Sequence, residues 1–379
     1  INPSNQTLAA ADAAFRGARA AIKVARANLY PTVSGGALVS GSMPSGTLAS
    51  SPPSPSPNAN LQIPFDASYE ADVWGRIHSV IEANIESAQA SAADLETIRL
   101  SLQTELALDY YQLRGLDAQR QLLDSTVAAY KKALVLTRNR YNQGVASQVD
   151  VVQAETQLQT IEAQATDTGL LRAQFEHAIA ILIGKPPAEL SIPPTPLNNK
   201  PPAIPVGLPS ELLERRPDIA SAERRMAAAN AQIGVAKAAF YPTVTLGAAA
   251  GLQSSSLVDL FTWPSRFWSL GPSLVQTLFD AGRRRGVTEQ AQAFYDSTVA
   301  LYRQSVLTAF QDVEDNLAAL RILDQEDKEQ EEAVKLAERS LALAINRYQG
   351  GITTYLEVIT AQSAALANER TAVEILTRR

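Results

Sequence analysis

Hydrophobic and polar residues recur along this chain with two distinct periods, one helical and one extended. Between Arg76 and Tyr141 no proline interrupts the sequence, and apolar residues return at steps of three and four. This spacing predicts a single helix roughly 100 Å long, a length that indicates a coiled coil rather than an ordinary globular helix. The apolar positions of this seam are Leu102, Leu106, Tyr110, Leu113, Leu116, Leu123, Val127, Tyr130 and Leu134.

A period of two predicts a first β-hairpin over residues 33–74. Its second strand places Ile63, Phe65, Ala67, Tyr69, Ala71 and Val73 on one face, and Asp66, Ser68, Glu70 and Asp72 on the other. A proline- and serine-rich stretch at 44–60 separates the two strands and is expected to be a loop. A strand with one dry face meets either a protein core or lipid.

A second β-hairpin is predicted over residues 243–280, with its later strand at about 269–279. The loop before that strand contains the aromatic residues Trp263, Phe267 and Trp268. Each predicted strand has about ten residues, which is the length that crosses a bilayer when the strand is tilted.

The same order of elements occurs twice. Tyr141 and Tyr348 are 207 positions apart, whereas Tyr30 and Tyr241 are 211 positions apart. The nearly constant offset indicates an internally duplicated unit of helix, strand, strand, long helix and helix. The difference of four residues places a longer loop in the first hairpin.

We therefore divide the chain into three parts. Residues 1–184 form the first repeat, with a helix, the hairpin at 33–74 and a long helical hairpin whose tip is near 144. Residues 185–216 are a proline-rich connector. Residues 217–379 form the second repeat, with the hairpin at 243–280 and a tip near 351.

Both helical hairpin tips carry the same local signals. Gly144 and Gly351 stand where a helix ends, because glycine enters the left-handed C′ conformation at little cost. The pairs that cap the following helix are Ser147 with Asp150 and Thr354 with Glu357. Capping explains these residues fully, but it leaves the apolar side chains of Val145 and Ile352 at the bends.

The net charge and the residue composition of the chain exclude several classes of function. The net charge is −6 and the chain has no cysteine and only two histidines. The acidic balance argues against a nucleic-acid partner, and the residue types argue against a metal or another cofactor. No Ser-His-Asp set, P-loop or metal spacing occurs, so we expect no enzyme. No uninterrupted apolar run reaches the roughly 18 residues of a transmembrane helix.

Four motifs, taken in order, carry a family resemblance. They are Leu212-Leu213-Glu214-Arg215-Arg216-Pro217-Asp218-Ile219, Ala239-Phe240-Tyr241-Pro242-Thr243-Val244, Leu278-Phe279-Asp280-Ala281-Gly282-Arg283 and the Arg-Tyr-x-x-Gly sequence of both tips. The set resembles the outer membrane factors of tripartite efflux and secretion systems, the TolC-like family, and is most similar to the lipoprotein branch that includes OprM and NodT.

The resemblance implies a mainly α-helical fold with a small β part. In this family a homotrimer forms a 12-stranded β-barrel in the outer membrane of a Gram-negative bacterium, continued by an α-helical coiled-coil tunnel in the periplasm. The implied function is a passive duct for drugs or other small molecules. Its partners are a periplasmic adaptor (membrane fusion) protein, an inner-membrane RND-type transporter and outer-membrane lipid. Four predicted strands in each of three chains also give twelve, an even and closable number.

The chain departs from the branch at its N-terminus. Members of the branch carry an acylated N-terminal cysteine, whereas this sequence has none. Lipidation is therefore unsupported within the sequence given. Because the sequence begins and ends inside helical patterns, we expect both ends to be trimmed, with any targeting segment removed.

The resemblance also assigns roles to individual residues. The adaptor-docking residues at the tips are Gly144, Val145, Ser147, Gly351, Ile352 and Thr354. A leucine gate carries over onto Leu356, and the acidic ring one turn later carries over onto Thr360, which departs from the family pattern. Glu357 neighbours the gate but points about 100° away around the helix. Residues facing the barrel lumen are Asp66, Glu70 and Asp72.

Several alternatives stay open at this stage. Leu356 is equally well explained as a helix seam residue. Trp263 and Trp268, with Phe267, form either an aromatic girdle or a loop over the outer mouth. The run Arg283–Arg285 either meets anionic head groups or forms a solvated, ion-paired turn. The alternative for the whole chain is a soluble periplasmic coiled-coil structural or adaptor protein.

Overall fold

The computed structural model describes residues 4–43, 45, 47, 57–195, 197 and 215–379. The first repeat contains α1 (Gln6–Ala27), β1 (Thr32–Gly35), β2 (Leu38–Ser42), β3 (Asn58–Ala71), α2 (Arg76–Asn142) and α3 (Gln148–Leu182). The second contains α4 (Pro217–Ala238), β4 (Thr243–Ser254), β5 (Arg266–Val275), α5 (Arg283–Gln349) and α6 (Tyr355–Arg378). The duplicated, mainly helical fold predicted from the sequence is confirmed.

Parts of the predicted loops lie outside the described residues. These are most of the loop at 44–60, most of the later half of the connector at 185–216, and positions 212–214 of the first family motif. The described residues divide into two compact units. The sheet unit comprises Asp12–Leu95 and Arg216–Val306, and the helical unit comprises Ile1–Ala11, Glu96–Arg215 and Leu307–Arg379.

The sheet is antiparallel, with β3 and β4 at its centre. β1 and β2 both pair with β3, and the register continues from one to the other. The break between them lies opposite Pro64, which has no N–H to donate to the ladder. Gly36 N donates instead to the Pro64 carbonyl at 3.1 Å. β1 and β2 are therefore one interrupted strand, and the unit has the four strands that were expected.

The two faces of the sheet differ sharply in polarity. Residues directly opposite on neighbouring strands share a face, as Phe65, Ala250 and Trp268 do. The apolar face carries Val33, Val39, Ile63, Phe65, Tyr69, Val244, Leu246, Leu252, Trp268, Leu270 and Leu274. The polar face carries Ser34, Ser40, Gln62, Asp66, Ser68, Glu70, Thr245, Gln253, Ser269 and Ser273.

The start of α2 forms the core of the sheet unit together with α1. Ile77 and Ile81 pack there with Ala25 of α1. α4 approaches the same helix closely, because a Cβ on Gly234 would lie 2.7 Å from Ser79 Oγ. The arginine–carboxylate pairs Arg224–Glu86 and Arg225–Asp94 add polar links between α4 and α2.

The helical unit buries apolar residues from four helices. Its core comprises Leu123, Tyr130, Leu134, Ala154, Leu158, Ile161, Ala165, Ala344, Tyr348, Tyr355, Val358 and Leu366. α2 and α6 make a close approach at Gly115, where an added Cβ would lie 2.4 Å from Thr377 Oγ1. Tyr110, which the seam pattern placed inside, is 43% exposed.

A buried ion network fastens the start of the connector to α2 and α3. Asp117 accepts from Arg114 Nη1 at 2.9 Å and from Arg172 Nε at 2.7 Å. It also accepts from the backbone N–H of Thr195 at 3.0 Å. Arg172 pairs in addition with Glu176 at 2.9 Å. The network therefore holds connector residues 192–195 against the helices.

None of the helices described here is both long and apolar enough to cross a membrane.

Candidate functional site

The first tip is a helix stop followed at once by a helix start. Gly144 has φ of 76°, the left-handed conformation expected from the sequence. Its N–H bonds to the Tyr141 carbonyl at 2.9 Å, and Val145 N bonds to the Arg140 carbonyl at 2.9 Å. These two bonds form a Schellman motif, which satisfies the last carbonyls of α2. Ser147 and Asp150 then form the predicted reciprocal capping box.

The second tip ends its helix in the same way but starts the next helix differently. Gly351 has φ of 75°, and Ile352 N bonds to the Arg347 carbonyl at 2.9 Å. The predicted cap by Thr354 and Glu357 is wrong, because Thr354 makes no side-chain cap bond. Glu357 turns instead to Arg347, at 2.8 Å, and to the Thr353 hydroxyl.

The bend residues expose apolar surface at both tips. The exposed fraction is 62% for Val145 and 72% for Ile352. Arg140 connects the tips, since its Nη1 donates to the Gln349 carbonyl at 3.0 Å and its guanidinium lies 4.7 Å from the Tyr348 ring centre. Sequence reasoning missed this link, although the repeated Arg-Tyr pair was its signal.

The three candidate gate residues lie along one groove between α5 and α6. Leu356, Glu357 and Thr360 line this groove, which has a volume of about 680 Å³. Leu356 is 57% exposed. The Thr360 hydroxyl donates to the Leu356 carbonyl at 2.9 Å, so it is engaged by its own helix. The apolar side chain of Leu356 is therefore not covered by other residues of the described chain.

A cavity of about 400 Å³ lies on the other side of α6, among α2, α5 and α6. Its lining includes Tyr130, Tyr348, Tyr355 and Gln362. Burial raises the pKa of Tyr355 to about 12, and the neighbouring Tyr348 and Tyr130 add to this shift. The neutral phenol is therefore the form that the folded helical unit favours.

The strand acids occupy three different environments. Asp66 lies on the polar face of the sheet, opposite Ser34 and Ala249. Glu70 shares that face and forms a two-bond pair with Arg76, at 2.8 and 2.7 Å.

Asp72 lies outside the strand, which is shorter than the sequence predicted. β3 ends at Ala71, and the chain then turns, with Val73 N bonded to the Ala71 carbonyl. The Asp72 carboxylate accepts from the backbone N–H groups of Ile77 and His78 at 2.9 and 2.8 Å, and contacts His78 Nδ1 at 2.6 Å. It therefore caps α2 rather than extending the polar face. The described part of the chain holds no group of His, Asp or Glu that could bind a metal ion.

The aromatic residues of the second hairpin also differ from the prediction. β5 begins at Arg266, so Phe267 and Trp268 lie inside the strand rather than before it. Trp268 faces the apolar side opposite Ala250 and is 80% exposed. Phe267 faces the other side, against Gly251. Trp263 alone precedes the strand, in a short turn, with the Arg266 guanidinium 3.4 Å from its ring centre.

A family model described as "Outer membrane efflux protein" matches residues 3–185 and 208–379 of the chain. The two matched segments correspond to the two repeats and leave out most of the connector.

Individual relatives agree with this match. The chain is 37% identical to the toluene efflux pump outer membrane protein TtgF of Pseudomonas putida, over 84% of this chain and 67% of that protein. It is 33% identical to the pyoverdine export outer membrane protein OpmQ of Pseudomonas aeruginosa, over 98% and 79%. The crystal structure of the outer membrane protein VceC of Vibrio cholerae superposes with a TM-score of 0.90 at 29% identity, covering 100% of this chain and 90% of that one.

Proposed function

Because the chain belongs to the outer membrane efflux protein family, we propose that three copies of it close a 12-stranded barrel continued by a helical tunnel. The chain is an outer-membrane channel component of an efflux system, and the resemblance drawn from its motifs is confirmed. The same comparisons favour this function over the soluble adaptor alternative. The trimer is our inference from the four-stranded sheet.

The two-faced sheet is the observation that carries this proposal. Its apolar face exposes large side chains such as Phe65, Trp268 and Leu270 to solvent in the single chain. Within the described residues, β1, β2 and β5 each pair along one edge only. Open edges are an aggregation hazard, and closure with neighbouring copies removes them. Closure also puts the apolar face towards lipid, with Asp66 and Glu70 towards the lumen.

The tips provide the docking surface for a periplasmic adaptor. Val145 and Ile352 project apolar side chains from bends that Gly144, Ser147, Gly351 and Thr354 shape. Apolar residues at the end of a helical hairpin suit contact with the helical hairpins of a partner. The adaptor in turn connects the tunnel to an inner-membrane RND-type transporter, which drives transport.

The gate lies at the start of α6. Three copies of Leu356 meeting at the axis would form an apolar constriction that resists wetting. Thr360, one turn further along, replaces a charged ring with hydroxyl groups. Glu357 is held by Arg347 and stays beside the constriction.

We infer that the transporter, and not this duct, selects the cargo. Two relatives are named for different molecules, one for toluene and the other for pyoverdine. A passive channel accommodates such different molecules, because selection belongs to the pump. No reaction chemistry is required of the chain.

Two measurements on the full chain in detergent test the proposal. Mass photometry should give three copies per particle, and the particles should form ion-conducting pores in planar bilayers. A monomer or dimer as the only species, or trimers that never conduct, would contradict the channel architecture. Complementation of a strain that lacks its own efflux channel provides the functional check.

A further inference from the structure

An aromatic residue and a cation stand together at every junction between a strand and a helix. The pairs are Arg26 with Tyr30, Trp74 with Arg76, Lys237 with Tyr241, and Phe279 with Arg283. All four junctions lie at the same end of the antiparallel sheet, because the strands run alternately away from it and back to it. The repeat thus produces the combination twice in each half of the sheet unit.

Direct contacts bring the junctions of the two repeats together. Trp74 stacks on Tyr241 with ring centres 4.7 Å apart, and its Nε1 donates to the Pro242 carbonyl at 2.8 Å. Within the second repeat, Gln276, just after β5, donates to the Phe240 carbonyl at 3.1 Å. Phe279 is 87% exposed at the same level. This end of the sheet therefore carries an aromatic band of exposed residues, namely Tyr30, Trp74, Tyr241 and Phe279.

The cations at the start of α5 lie where the helix dipole disfavours positive charge. Arg283, Arg284 and Arg285 occupy the first turn, which contains no acid. The N-terminus of a helix carries partial positive charge and favours anions. Arg284 is compensated by Asp280 at 2.7 Å. Arg283 and Arg285 are exposed, and no carboxylate of the described chain pairs with them.

The charges of the other junction cations are compensated in different ways. Arg76 is held by Glu70. Arg26 and Lys237 lie in the last turns of α1 and α4, where positive charge compensates the helix dipole. Both nevertheless remain exposed beside the aromatic band. The inference rests on Arg283 and Arg285, and Arg26 and Lys237 extend the same basic surface.

We propose that this junction surface, formed by Arg26, Tyr30, Lys237, Tyr241, Arg283 and Arg285, binds the phosphate groups of anionic phospholipids at the periplasmic edge of the outer membrane. Aromatic rings settle at the headgroup level of a bilayer, and neighbouring cations attract anionic lipid. Guanidinium groups match phosphate oxygens in geometry as well as in charge. The inference rests on the proposed function, in which the apolar face of the sheet contacts lipid.

The test compares lipid selection by the wild-type chain and by an Arg283→Gln/Arg285→Gln variant in nanodiscs. The discs contain phosphatidylcholine with a minority of phosphatidylglycerol, and native mass spectrometry counts the lipids that stay bound. An Arg303→Gln/Arg321→Gln variant removes the same charge from exposed positions farther along α5. We expect the wild type and this control to enrich phosphatidylglycerol. In the junction variant, the enrichment should fall by a factor of roughly five for each cation removed.

Three outcomes would overturn the inference. The first is equal retention of both lipids by the wild type. The second is undiminished enrichment in the junction variant. The third is a junction variant that loses its trimer in pure phosphatidylcholine, which would assign the arginines to carboxylates of a neighbouring copy. Failure of the wild type to enter nanodiscs would instead refute the proposed function, so the two failures are distinguishable.

Discussion

At the scale of single residues, the tips depend on two glycines with left-handed backbone. Replacing Gly351 by valine forces a β-branched residue into a conformation that costs roughly 1–2 kcal/mol, and it distorts the bend that presents Ile352. We expect the Gly351→Val protein to assemble at normal abundance but to export poorly. Antibiotic susceptibility of a complemented strain, compared at matched protein level, measures the effect.

Gly350 provides the matched control for this change. Its φ is not positive, and a Cβ added there meets its nearest neighbour at an ordinary 3.5 Å. Gly350→Val should therefore retain much more export than Gly351→Val. If the Gly351→Val strain were as resistant to antibiotics as a Gly350→Val strain that retains export, the left-handed bend would not be needed for docking.

The raised pKa of Tyr355 predicts that the folded chain loses stability at high pH. Its pKa is raised from 10.0 to about 12 in the folded chain, so the unfolded chain loses this proton first as the pH rises. The stabilisation is complete below pH 10 and is lost between pH 10 and 12, by roughly 2–3 kcal/mol. Thermal unfolding followed by circular dichroism should show this decline, and Tyr355→Phe should reduce its slope, although burial also raises the pKa of Tyr130 and leaves part of the decline. The half-exposed Tyr141→Phe serves as control, and an unchanged slope in Tyr355→Phe would exclude Tyr355 as its source.

The sequence predicted the residues of the tips better than their bonds. The conformations of Gly144 and Gly351 follow from local chain geometry, and both were predicted. The Glu357–Arg347 contact spans the bend between two helices, so the local capping pattern of Thr354 could not reveal it. Arg140 reaches residues more than 200 positions away for the same reason.

At the scale of secondary-structure elements, the crossing of α2 and α6 depends on the missing side chain of Gly115. An added methyl group would lie 2.4 Å from Thr377 Oγ1 and 2.7 Å from its Cγ2. We expect Gly115→Ala to destabilise the chain by about 1–3 kcal/mol in thermal unfolding. The double variant Gly115→Ala/Thr377→Ala should recover part of this loss.

Gly169 of α3 offers a matched comparison. A Cβ added there meets nothing within 4 Å, so Gly169→Ala should stabilise its helix by up to about 1 kcal/mol. If Gly115→Ala were equally stabilising, the close approach of α2 and α6 would not exist in solution.

The Asp117 network predicts that the connector start is released when one charge is removed. Asp117→Asn leaves the buried Arg114 without its anion, whereas Arg172 keeps its pair with Glu176, and the change should cost roughly 3 kcal/mol. Amide hydrogen exchange at Thr195 should accelerate, because its N–H donates to Asp117.

Asp124→Asn makes the same change to an exposed pair on the same helix and should alter stability by less than about 0.5 kcal/mol. Unchanged exchange at Thr195 in Asp117→Asn would show that the network does not hold the connector.

Strand and helix types were predictable from periodicity, but their limits were not. The alternation of polar and apolar residues continues past Ala71, yet Asp72 leaves the strand because it caps α2. β5 begins three residues before the predicted start, since Phe267 and Trp268 alternate faces as strand residues do. The interruption at Gly36 depends on Pro64 of the partner strand, which pairing alone reveals.

At the scale of the whole molecule, the sequence predicted the family and the duplicated architecture, because the ordered motifs and the nearly constant offset between the two copies are visible in the sequence itself. A single chain cannot determine which of its exposed residues are covered when copies assemble. Leu356 illustrates this, since a seam residue and a gate residue have the same exposure in one chain.

The gate is best tested by conductance in planar bilayers. Leu356→Ala removes the apolar constriction proposed at the axis, so the resting current should rise severalfold while the trimer persists. Leu336→Ala makes the same change at an equally exposed position of α5 and should leave the current unaltered. Thr360→Asp adds a ring of three charges one turn away and should increase both cation preference and block by divalent ions. An unchanged current in a correctly assembled Leu356→Ala trimer would place the constriction elsewhere and leave Leu356 as a helix seam residue.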